Sequence, residues 1–255
     1  MSPIGFARET IICAPLFVHD DVFGTLTIAN RPDGGTFNDE DMEMLSTIAA
    51  QASVAIKNAR LYEEQQSTYL NTVHALVSAI EASDPYTRGH SERVTRYSLA
   101  LGRHLDLPES SFKDLEQAAI LHDIGKIGID DSLLHKVDEL SLNDIDRLRQ
   151  HPMIGMRILE PIQFMTRVRE IIGQHHERFD GQGYPLGLSG EKLLFEARIL
   201  SVADSYDAMT SDRPYRKALP QEIAIKELEQ HTGTQFDPRV VTAFLELIDS
   251  GILPG

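Results

Sequence analysis

The sequence lacks tryptophan, has a single cysteine and contains no long apolar run. Because Cys13 is alone among the 255 residues, we expect neither an internal disulfide nor a metal site built from several thiolates. No apolar stretch approaches the roughly 18 residues of a membrane-spanning helix, and the first residues lack the basic start and apolar run of a signal peptide. We therefore expect a cytoplasmic protein without a membrane partner.

Positive charge is also scarce. The chain has 24 Lys and Arg against 39 Asp and Glu, a formal net charge of -15. Proteins that bind nucleic-acid polymers need a basic face to displace counterions from the phosphates, so we expect no such partner. Any small anionic ligand must then be held by local positive charge or by metal. The hydrophobic fraction of 42% is ordinary for a globular protein.

The first part of the chain predicts a β-hairpin followed by a helix. Two apolar runs rich in β-branched residues, Ile11–Val18 and Val22–Ala29, have strand length and are bounded by turn-forming residues. Asn38 is a candidate N-cap, since an acidic first turn follows it and apolar residues then recur at helical spacing as far as Tyr62.

Neither glycine nor proline occurs between Thr36 and Asp84. One helix of about 45 residues, roughly 65 Å long, can therefore join the two halves of the chain, with a break near Ser67 as the alternative. A helix of that length exposes its apolar stripe unless a second chain covers it. We therefore expect a parallel homodimer through this connector.

Helical patterns interrupted by short Pro- and Gly-containing breaks fill the chain from Asp84 onward. Sustained strand alternation is absent there, so the predicted fold is mainly α. An all-helical domain follows a small α/β part and the long connecting helix.

Histidines and carboxylates lie next to each other at predicted helix ends in this helical part. His122 and Asp123 end one helix, and His151 precedes a proline suited to the first turn of the next. His175 and His176 lie on a helix predicted from about Thr166 to Glu177. On the helix predicted from Phe195 to Met209, Asp204 and Asp207 are three residues apart and share a face.

Six of these residues form a ligand set without thiolates: His122, Asp123, His151, His175, His176 and Asp204. Four imidazoles and two carboxylates suit iron, manganese or zinc and hydrolytic chemistry. Because six ligands exceed what one catalytic metal needs, we expect a two-metal site in which a carboxylate or a water bridges the ions.

Two ordered motifs make a family resemblance specific. The segments His122–Lys126 and His175–Pro185, supported by Asp84–Ser91, His151-Pro152 and Ala203–Arg216, resemble the HD-GYP family. These are bacterial phosphodiesterases of cyclic di-GMP within the HD metal-hydrolase superfamily. The resemblance covers roughly Leu70 to Leu247 and implies an HD-type domain.

The resemblance implies that the six-residue set ligates two divalent ions, iron or manganese, with Asp123 as the bridge. Some members bind an additional metal through a histidine and a glutamate four residues before it. Here His90 holds the histidine position, but Tyr86 replaces the glutamate, and a phenol is a poor ligand at neutral pH. This departure favours two metals and leaves His90 either as a hydrogen-bond partner behind the ligands or as a ligand of an additional metal.

The implied reaction opens cyclic di-GMP to linear pGpG by attack of a metal-bridging hydroxide on phosphorus, with further cleavage to GMP left open. Asp123 and Lys126 are the implied catalytic residues. Tyr184 is placed to stack on a guanine. The expected substrate contacts are Lys126, Tyr184, Asp207, Arg213, Arg216 and Lys217.

The residues before the connector resemble part of a GAF domain, through Gly24–Leu26 and Ala49–Leu61 among others. The upstream strands and helices that enclose a GAF ligand pocket are missing from the match, so we expect support of dimerisation rather than small-molecule sensing. The expected organisation is a partial GAF-like domain over 1–62, a helical connector over 63–83 and an HD-GYP domain over 70–255.

Three other functions stay open. The chain could be a catalytically weak cyclic di-GMP receptor that signals through a protein partner, although all six ligand positions are intact. It could hydrolyse another cyclic dinucleotide, such as cyclic GMP-AMP. A general HD nucleotidase would need only a mononuclear ligand set, which the additional His151, His175 and His176 disfavour.

Overall fold

The computed structural model describes residues 10–18, 21–83, 89–136, 139–212 and 217–253. The chain divides into two compact units, Met1–Asn71 and Thr72–Gly255. Its elements are the strands β1 (Ile11–Val18) and β2 (Asp21–Ala29) and the helices α1 (Asp39–Ser83), α2 (His90–His104), α3 (Glu109–Leu121), α4 (Asp131–Leu134), α5 (Leu142–Leu148), α6 (His151–Leu159), α7 (Thr166–Gln174), α8 (Phe195–Thr210), α9 (Gln221–Gln230) and α10 (Pro238–Asp249). The predicted mainly α fold is confirmed. Across the described residues, no helix combines the length and apolar character needed to cross a membrane.

The first unit contains the predicted hairpin. β1 and β2 pair antiparallel with Ile11 opposite Ala29, and β2 begins one residue earlier than predicted. One face of the hairpin packs on α1, where Leu45 and Ala49 are buried against Ile12 and Ala14. The apolar alternation of a two-stranded sheet and the period of one helix are thus sufficient to build this small core.

The start of α1 follows the predicted cap. The backbone N–H of Asp41 donates to Asn38 Oδ1 at 2.9 Å, and the backbone N–H of Asn38 donates to Asp41 Oδ2 at 2.9 Å. This reciprocal pair satisfies two backbone donors at the helix start. The helix then continues for 45 residues through Ser67, so the alternative of a break at that position is wrong.

In the described residues of the second unit, the regular secondary structure is helical apart from one short bridge between Thr232 and Phe236. α2 packs against α3, α8 and α10, while α7 packs against α3 and α6. Tyr97, Tyr206 and Phe244 form an edge-to-face aromatic cluster between α2, α8 and α10, with ring centroids 4.8–6.2 Å apart. This packing holds the ends of α3 and α7 and the start of α6 close together.

Candidate metal centre

The histidines of the predicted ligand set lie at helix ends. His122 follows the last residue of α3, His151 is the first residue of α6, and His175 follows the last residue of α7. α7 was predicted to extend to Glu177 but ends at Gln174. The backbone N–H of Glu177 donates to the Gln174 carbonyl at 2.9 Å, and this tighter three-residue turn ends the α-helix.

Gly125 brings two of these helix ends into direct contact. It lies in the 3₁₀ turn Ile124–Gly128 that follows Asp123. A Cβ atom at this position would lie 1.9 Å from the His151 carbonyl oxygen and 2.6 Å from the Gly155 nitrogen. Only glycine allows this approach, which sets His122 and Asp123 beside the start of α6.

The ligand atoms of this region form two groups of three. One consists of His151, His175 and His176, and the other of His90, His122 and Asp204. Within each group the candidate ligand atoms all lie within 4.8 Å of one another.

Asp123 lies between the two groups. Its Oδ1 is 3.6 Å from His151 Nε2, and its Oδ2 is 3.6 Å from His122 Nε2. The two oxygens of one carboxylate therefore face different groups, as a bridging ligand requires. Lys126 Nζ also donates to Asp123 Oδ2, at 2.6 Å.

Three of the imidazoles have their ring orientation fixed by the backbone. The Nδ1–H groups of His122, His151 and His175 donate to the carbonyls of Ala119, Leu148 and Ile172, at 2.7, 2.8 and 2.6 Å. Each acceptor lies three residues before its histidine. In a neutral ring this leaves an Nε2 lone pair directed into the centre, the usual arrangement of metal-binding histidines.

His90 contacts the centre through one ring nitrogen and, through the other, the buried carboxylate of an ion pair. Its Nε2 lies 3.2 Å from His122 Nε2 and 3.3 Å from Asp204 Oδ1. Its Nδ1 donates to Asp207 Oδ2 at 2.7 Å. Arg93 donates to the same carboxylate through two nitrogens, at 2.6 and 3.0 Å.

This geometry corrects the expected role of Asp207. Asp207 is fully buried and is not among the described residues that line the cavity, so its carboxylate orients His90 instead of contacting a substrate. Tyr86, the position that argued against an additional metal, lies outside the described residues.

The environment favours the protonation states that bind cations. Burial lowers the pKa of His175 well below its usual value and that of His176 to about 3. Burial alone would raise the pKa of Asp123, but the charges of Lys126 and the surrounding histidines outweigh it and hold that pKa well below the usual range. His175 and His176 are therefore neutral in a centre that also holds an ionised Asp123, as divalent metal binding requires.

His90 is the exception. Burial lowers its pKa, but the hydrogen bonds to Asp204 and Asp207 outweigh burial and raise the pKa to about 9. His90 thus lies beside the carboxylates of Asp204 and Asp207, whereas the group of His151, His175 and His176 contains imidazoles alone.

The donor set fits divalent metal ions. His151 Nε2 and His175 Nε2 face each other at 3.4 Å, although both rings use Nδ1–H for the backbone. Two facing lone pairs repel each other unless a cation lies between them. Two nitrogens that share one ion at about 2.1 Å are separated by about 3.2 Å when the angle between them is near 100°.

A cavity of about 710 Å³ opens on this centre. Its volume falls within the range of about 300–1,000 Å³ that is usual for ligand pockets. Among the described residues, the cationic side chains that line it are those of Lys126, Lys136 and Arg149, and several leucine and isoleucine side chains from Ile129 to Leu148 form one apolar wall. The cavity therefore places cationic side chains close to the candidate ligands, in a chain that has few of them.

Tyr184 lies on a loop that folds back over the centre. Its backbone N–H donates to the His176 carbonyl at 3.2 Å, and its ring stacks on the His176 ring with centroids 5.0 Å apart. The Arg149 guanidinium lies over the Tyr184 ring, 5.2 Å from its centroid. Stacking of Tyr184 on a guanine stays a prediction. A guanine would have to use ring surface that His176 and Arg149 do not cover.

The predicted cation cluster after α8 is only partly described. Arg213 and Arg216 lie outside the described residues. The Lys217 side chain is 92% exposed, donates to Asp212 at 3.3 Å and is not among the described lining residues of the cavity. Its predicted contact with substrate remains untested.

Sequence reasoning missed Arg93, Lys136 and Arg149. Arg149 lies two residues before His151, so its proximity to the motif was an available signal. Lys136 and Arg93 reach their positions only through packing, since Arg93 meets Asp207 from 114 residues away.

Two protein families match the chain. Residues 74–240 match the HD domain family, and residues 2–56 match the GAF domain family. A cyclic di-GMP phosphodiesterase of Pseudomonas aeruginosa is 39% identical over 197 residues, which cover 76% of this chain and 47% of the relative. A 3′3′-cGAMP-specific phosphodiesterase of Vibrio cholerae is 32% identical over 205 residues, covering 80% of this chain and 45% of the relative. The chain thus spans about half the length of these curated relatives.

A solved structure shares the fold. The HDG"Y"P protein Bd1817 of Bdellovibrio bacteriovorus aligns with a TM-score of 0.53 and 26% identity, over 63% of this chain and 51% of that one.

Proposed function

Because the chain belongs to the HD domain family, we propose that it is a metal-dependent phosphodiesterase that hydrolyses cyclic di-GMP to linear pGpG, with GMP as the product of any further cleavage. One observation carries this proposal: two groups of candidate metal ligands, with Asp123 between them, open into a cavity whose described lining includes Lys126, Lys136 and Arg149. The relative from Pseudomonas aeruginosa, named as a cyclic di-GMP phosphodiesterase, supports the choice of substrate.

We assign one ion to His151, His175 and His176 and a second to His122 and Asp204, with Asp123 bridging the two. His90 is close enough to add a nitrogen to the second ion, because its Nε2 lies 3.2 Å from His122 Nε2. Nitrogen and oxygen donors without thiolates suit iron, manganese or zinc, and the resemblance to the HD-GYP family favours iron or manganese. When bound, two divalent ions lower the pKa of water and neutralise charge on phosphate oxygens.

Lys126 is placed for two roles at the reacting phosphate. Its Nζ lies 2.6 Å from Asp123 Oδ2 and lines the cavity, so the ammonium both orients the bridging carboxylate and faces the space where a phosphate would enter. A cation at this position stabilises the negative charge that grows on the non-bridging oxygens during hydrolysis. We therefore keep Asp123 and Lys126 as the catalytic residues.

Arg149 is our candidate for contact with the second phosphate of the cyclic substrate. Its guanidinium lies at the cavity wall over Tyr184, and a planar guanidinium can donate to two phosphate oxygens at once. Arg213, Arg216 and Lys217 stay proposed substrate contacts on the strength of the sequence motif.

A second candidate substrate follows from the relative in Vibrio cholerae, which is named as specific for 3′3′-cGAMP. That ring contains one guanine and one adenine and has the same two phosphates. The metal centre and the cations treat both substrates alike, so the choice between them depends on the part of the cavity that contacts the bases.

We also propose that the chain forms a parallel homodimer through α1. In the first unit, α1 exposes Ile48, Ala55, Tyr62 and Tyr69 at intervals of seven residues. An apolar stripe with this spacing fits a two-stranded coiled coil. We retain the partial GAF-like domain over 1–62, the connector over 63–83 and the HD-GYP domain over 70–255 as the proposed organisation.

Incubation of the pure protein with manganese or ferrous iron and cyclic di-GMP, followed by separation of the nucleotides, tests the proposed reaction. We expect pGpG to appear, and Asp123→Asn to lower the rate by at least about a hundredfold with the helical circular-dichroism signal intact. Asp131→Asn, a change at an exposed residue of α4 outside the ligand groups and the described lining of the cavity, is the matched control and should keep full activity. Tight binding of unchanged cyclic di-GMP by the metal-loaded protein would identify a receptor instead of an enzyme.

A further inference from the structure

The cavity continues beyond the metal centre to helix α9 and the loop after it. Glu227 in the last turn of α9, His231 directly after the helix and Gln235 in the following loop all line it. They occur at intervals of four residues, and the function proposed above uses none of them.

Glu227 puts a carboxylate on the wall of a cavity that is proposed to bind an anionic ligand. The other described carboxylates of the lining, Asp123 and Asp204, belong to the metal centre, where cations compensate them. A third carboxylate repels phosphate, so the part of a ligand that lies against Glu227 must be one that donates hydrogen bonds.

The carboxylate of Glu227 has acceptor capacity left for a ligand. Its partner among the described residues is His231, with Oε2 3.6 Å from Nε2, which is longer than a hydrogen bond. The side chain is 45% exposed and therefore reachable from the cavity.

Gln235 supplies the complementary donor. Arg178 Nη1 donates to Gln235 Oε1 at 3.1 Å. Because a guanidinium has donors only, this contact fixes the amide with its oxygen towards Arg178 and leaves the NH2 group as a donor. Glu227 and Gln235 thus add an acceptor pair and a donor to the described lining of the same cavity.

Guanine offers the matching edge. Its N1–H and N2–H2 groups are adjacent donors that a carboxylate can accept together, and its O6 beside them accepts from an amide. Adenine offers the carboxylate only the N6 donor, and hypoxanthine lacks the N2 amino group. A site built on paired hydrogen bonds discriminates against a base that leaves one of them unmade.

We propose that Glu227, assisted by Gln235, forms a guanine-reading subsite on α9 that sets the preference for guanine-containing cyclic dinucleotides. This inference rests on the proposed function and names the base contact of the same cavity. The ribose hydroxyl groups are the other donors of the substrate, and the experiment is designed to separate them from the base.

The test compares cyclic di-GMP, cyclic di-IMP and cyclic di-AMP as substrates of the manganese-loaded protein and of Glu227→Gln. We expect the wild-type protein to prefer cyclic di-GMP to cyclic di-IMP by about tenfold in kcat/KM. In Glu227→Gln, kcat/KM for cyclic di-GMP should fall by about tenfold, mainly through KM, and the preference over cyclic di-IMP should disappear. Glu229→Gln, an exposed position on the same helix, is the control and should behave as wild type.

An equal loss for all three substrates would mean that Glu227 contacts the ribose common to them, and an unchanged preference would mean that it contacts neither group. Either outcome overturns the base-reading subsite and leaves the phosphodiesterase intact. If the wild-type protein hydrolyses none of the three, the proposed reaction fails. The subsite is then tested by measuring the dissociation constants of cyclic di-GMP and cyclic di-IMP for the wild-type protein and for Glu227→Gln. The wild-type protein should bind cyclic di-GMP about tenfold more tightly than cyclic di-IMP, and the variant should lose this preference.

Discussion

His151 Nε2 lies 3.4 Å from His175 Nε2, and each ring donates its Nδ1–H to a backbone carbonyl three residues earlier. In their neutral forms the two rings therefore direct lone pairs at each other in a buried site. A divalent ion between the two nitrogens would be bound by both lone pairs, so a cation relieves their repulsion in the folded chain.

We therefore expect metal removal to destabilise the second unit. An ion that binds only the folded state adds about 2.7 kcal/mol to the free energy of unfolding when its free concentration is a hundred times its dissociation constant. Thermal unfolding followed by circular dichroism should show a lower midpoint after chelation and recovery with manganese. His104→Ala, which changes a histidine paired with Glu246 outside the ligand groups, should keep the full shift. His151→Ala should lose most of it, and an equal shift in both variants would argue against the assigned ligands.

The ion pair of buried Asp207 and half-buried Arg93 should control metal affinity through His90. Asp207→Asn removes the negative charge that accepts from His90 Nδ1. Arg93→Gln removes the guanidinium that donates to Asp207. Loss of such supporting contacts typically lowers metal affinity by about 10–100-fold. Chelator competition should detect this change with helical circular dichroism as the check on folding. Arg96→Gln, an exposed change on α2, is the control. Folded variants that retain wild-type metal affinity would exclude this positioning role.

Gly125 should tolerate no side chain. Gly125→Ala places a methyl group within 1.9 Å of the His151 carbonyl oxygen, so the 3₁₀ turn and the start of α6 must separate. We expect a loss of about 2 kcal/mol in the free energy of unfolding together with weaker metal binding. Urea unfolding measures the first effect. Gly24→Ala is the comparison, because its Cβ would meet only Leu16 at an ordinary 3.5 Å, and equal losses would contradict the close approach.

Tyr62→Glu tests the proposed dimer. The side chain is 58% exposed in the single chain and lies on the stripe with a seven-residue period, so a charge there would face its own copy across a parallel coiled coil. Sedimentation velocity should show a shift from dimer to monomer. Glu63→Gln, an exposed neighbour off the stripe, should leave the dimer unchanged. A wild-type protein that sediments as a monomer would reject the proposal.

Local signals explain which parts of the fold could be predicted. The hairpin, the Asn38 cap and the position of His151 at a helix start depend on neighbouring residues, and the structure has all three. The end of α7 was misplaced by three residues, because the tight turn at Gln174 leaves no mark in the apolar period.

The proximity of the candidate ligands was predictable for a different reason. His122, Asp123 and the paired histidines keep their order and spacing in the motif, and the structure brings them together. The burial of Asp207 was not predictable. Spacing alone places Asp204 and Asp207 on one helix face. The contacts that bury Asp207 come from Arg93 and His90, which are distant in the sequence.

The backbone acceptors of His122, His151 and His175 have a kinetic consequence. Each ring is tied to a carbonyl near the end of a helix, in α3, α5 and α7 respectively. Ions that hold the Nε2 side of these rings would therefore also hold the final turns of three helices. Amide hydrogen exchange in those turns should slow when metal binds, so their opening rates would report occupancy of the centre even in a variant that has lost all turnover.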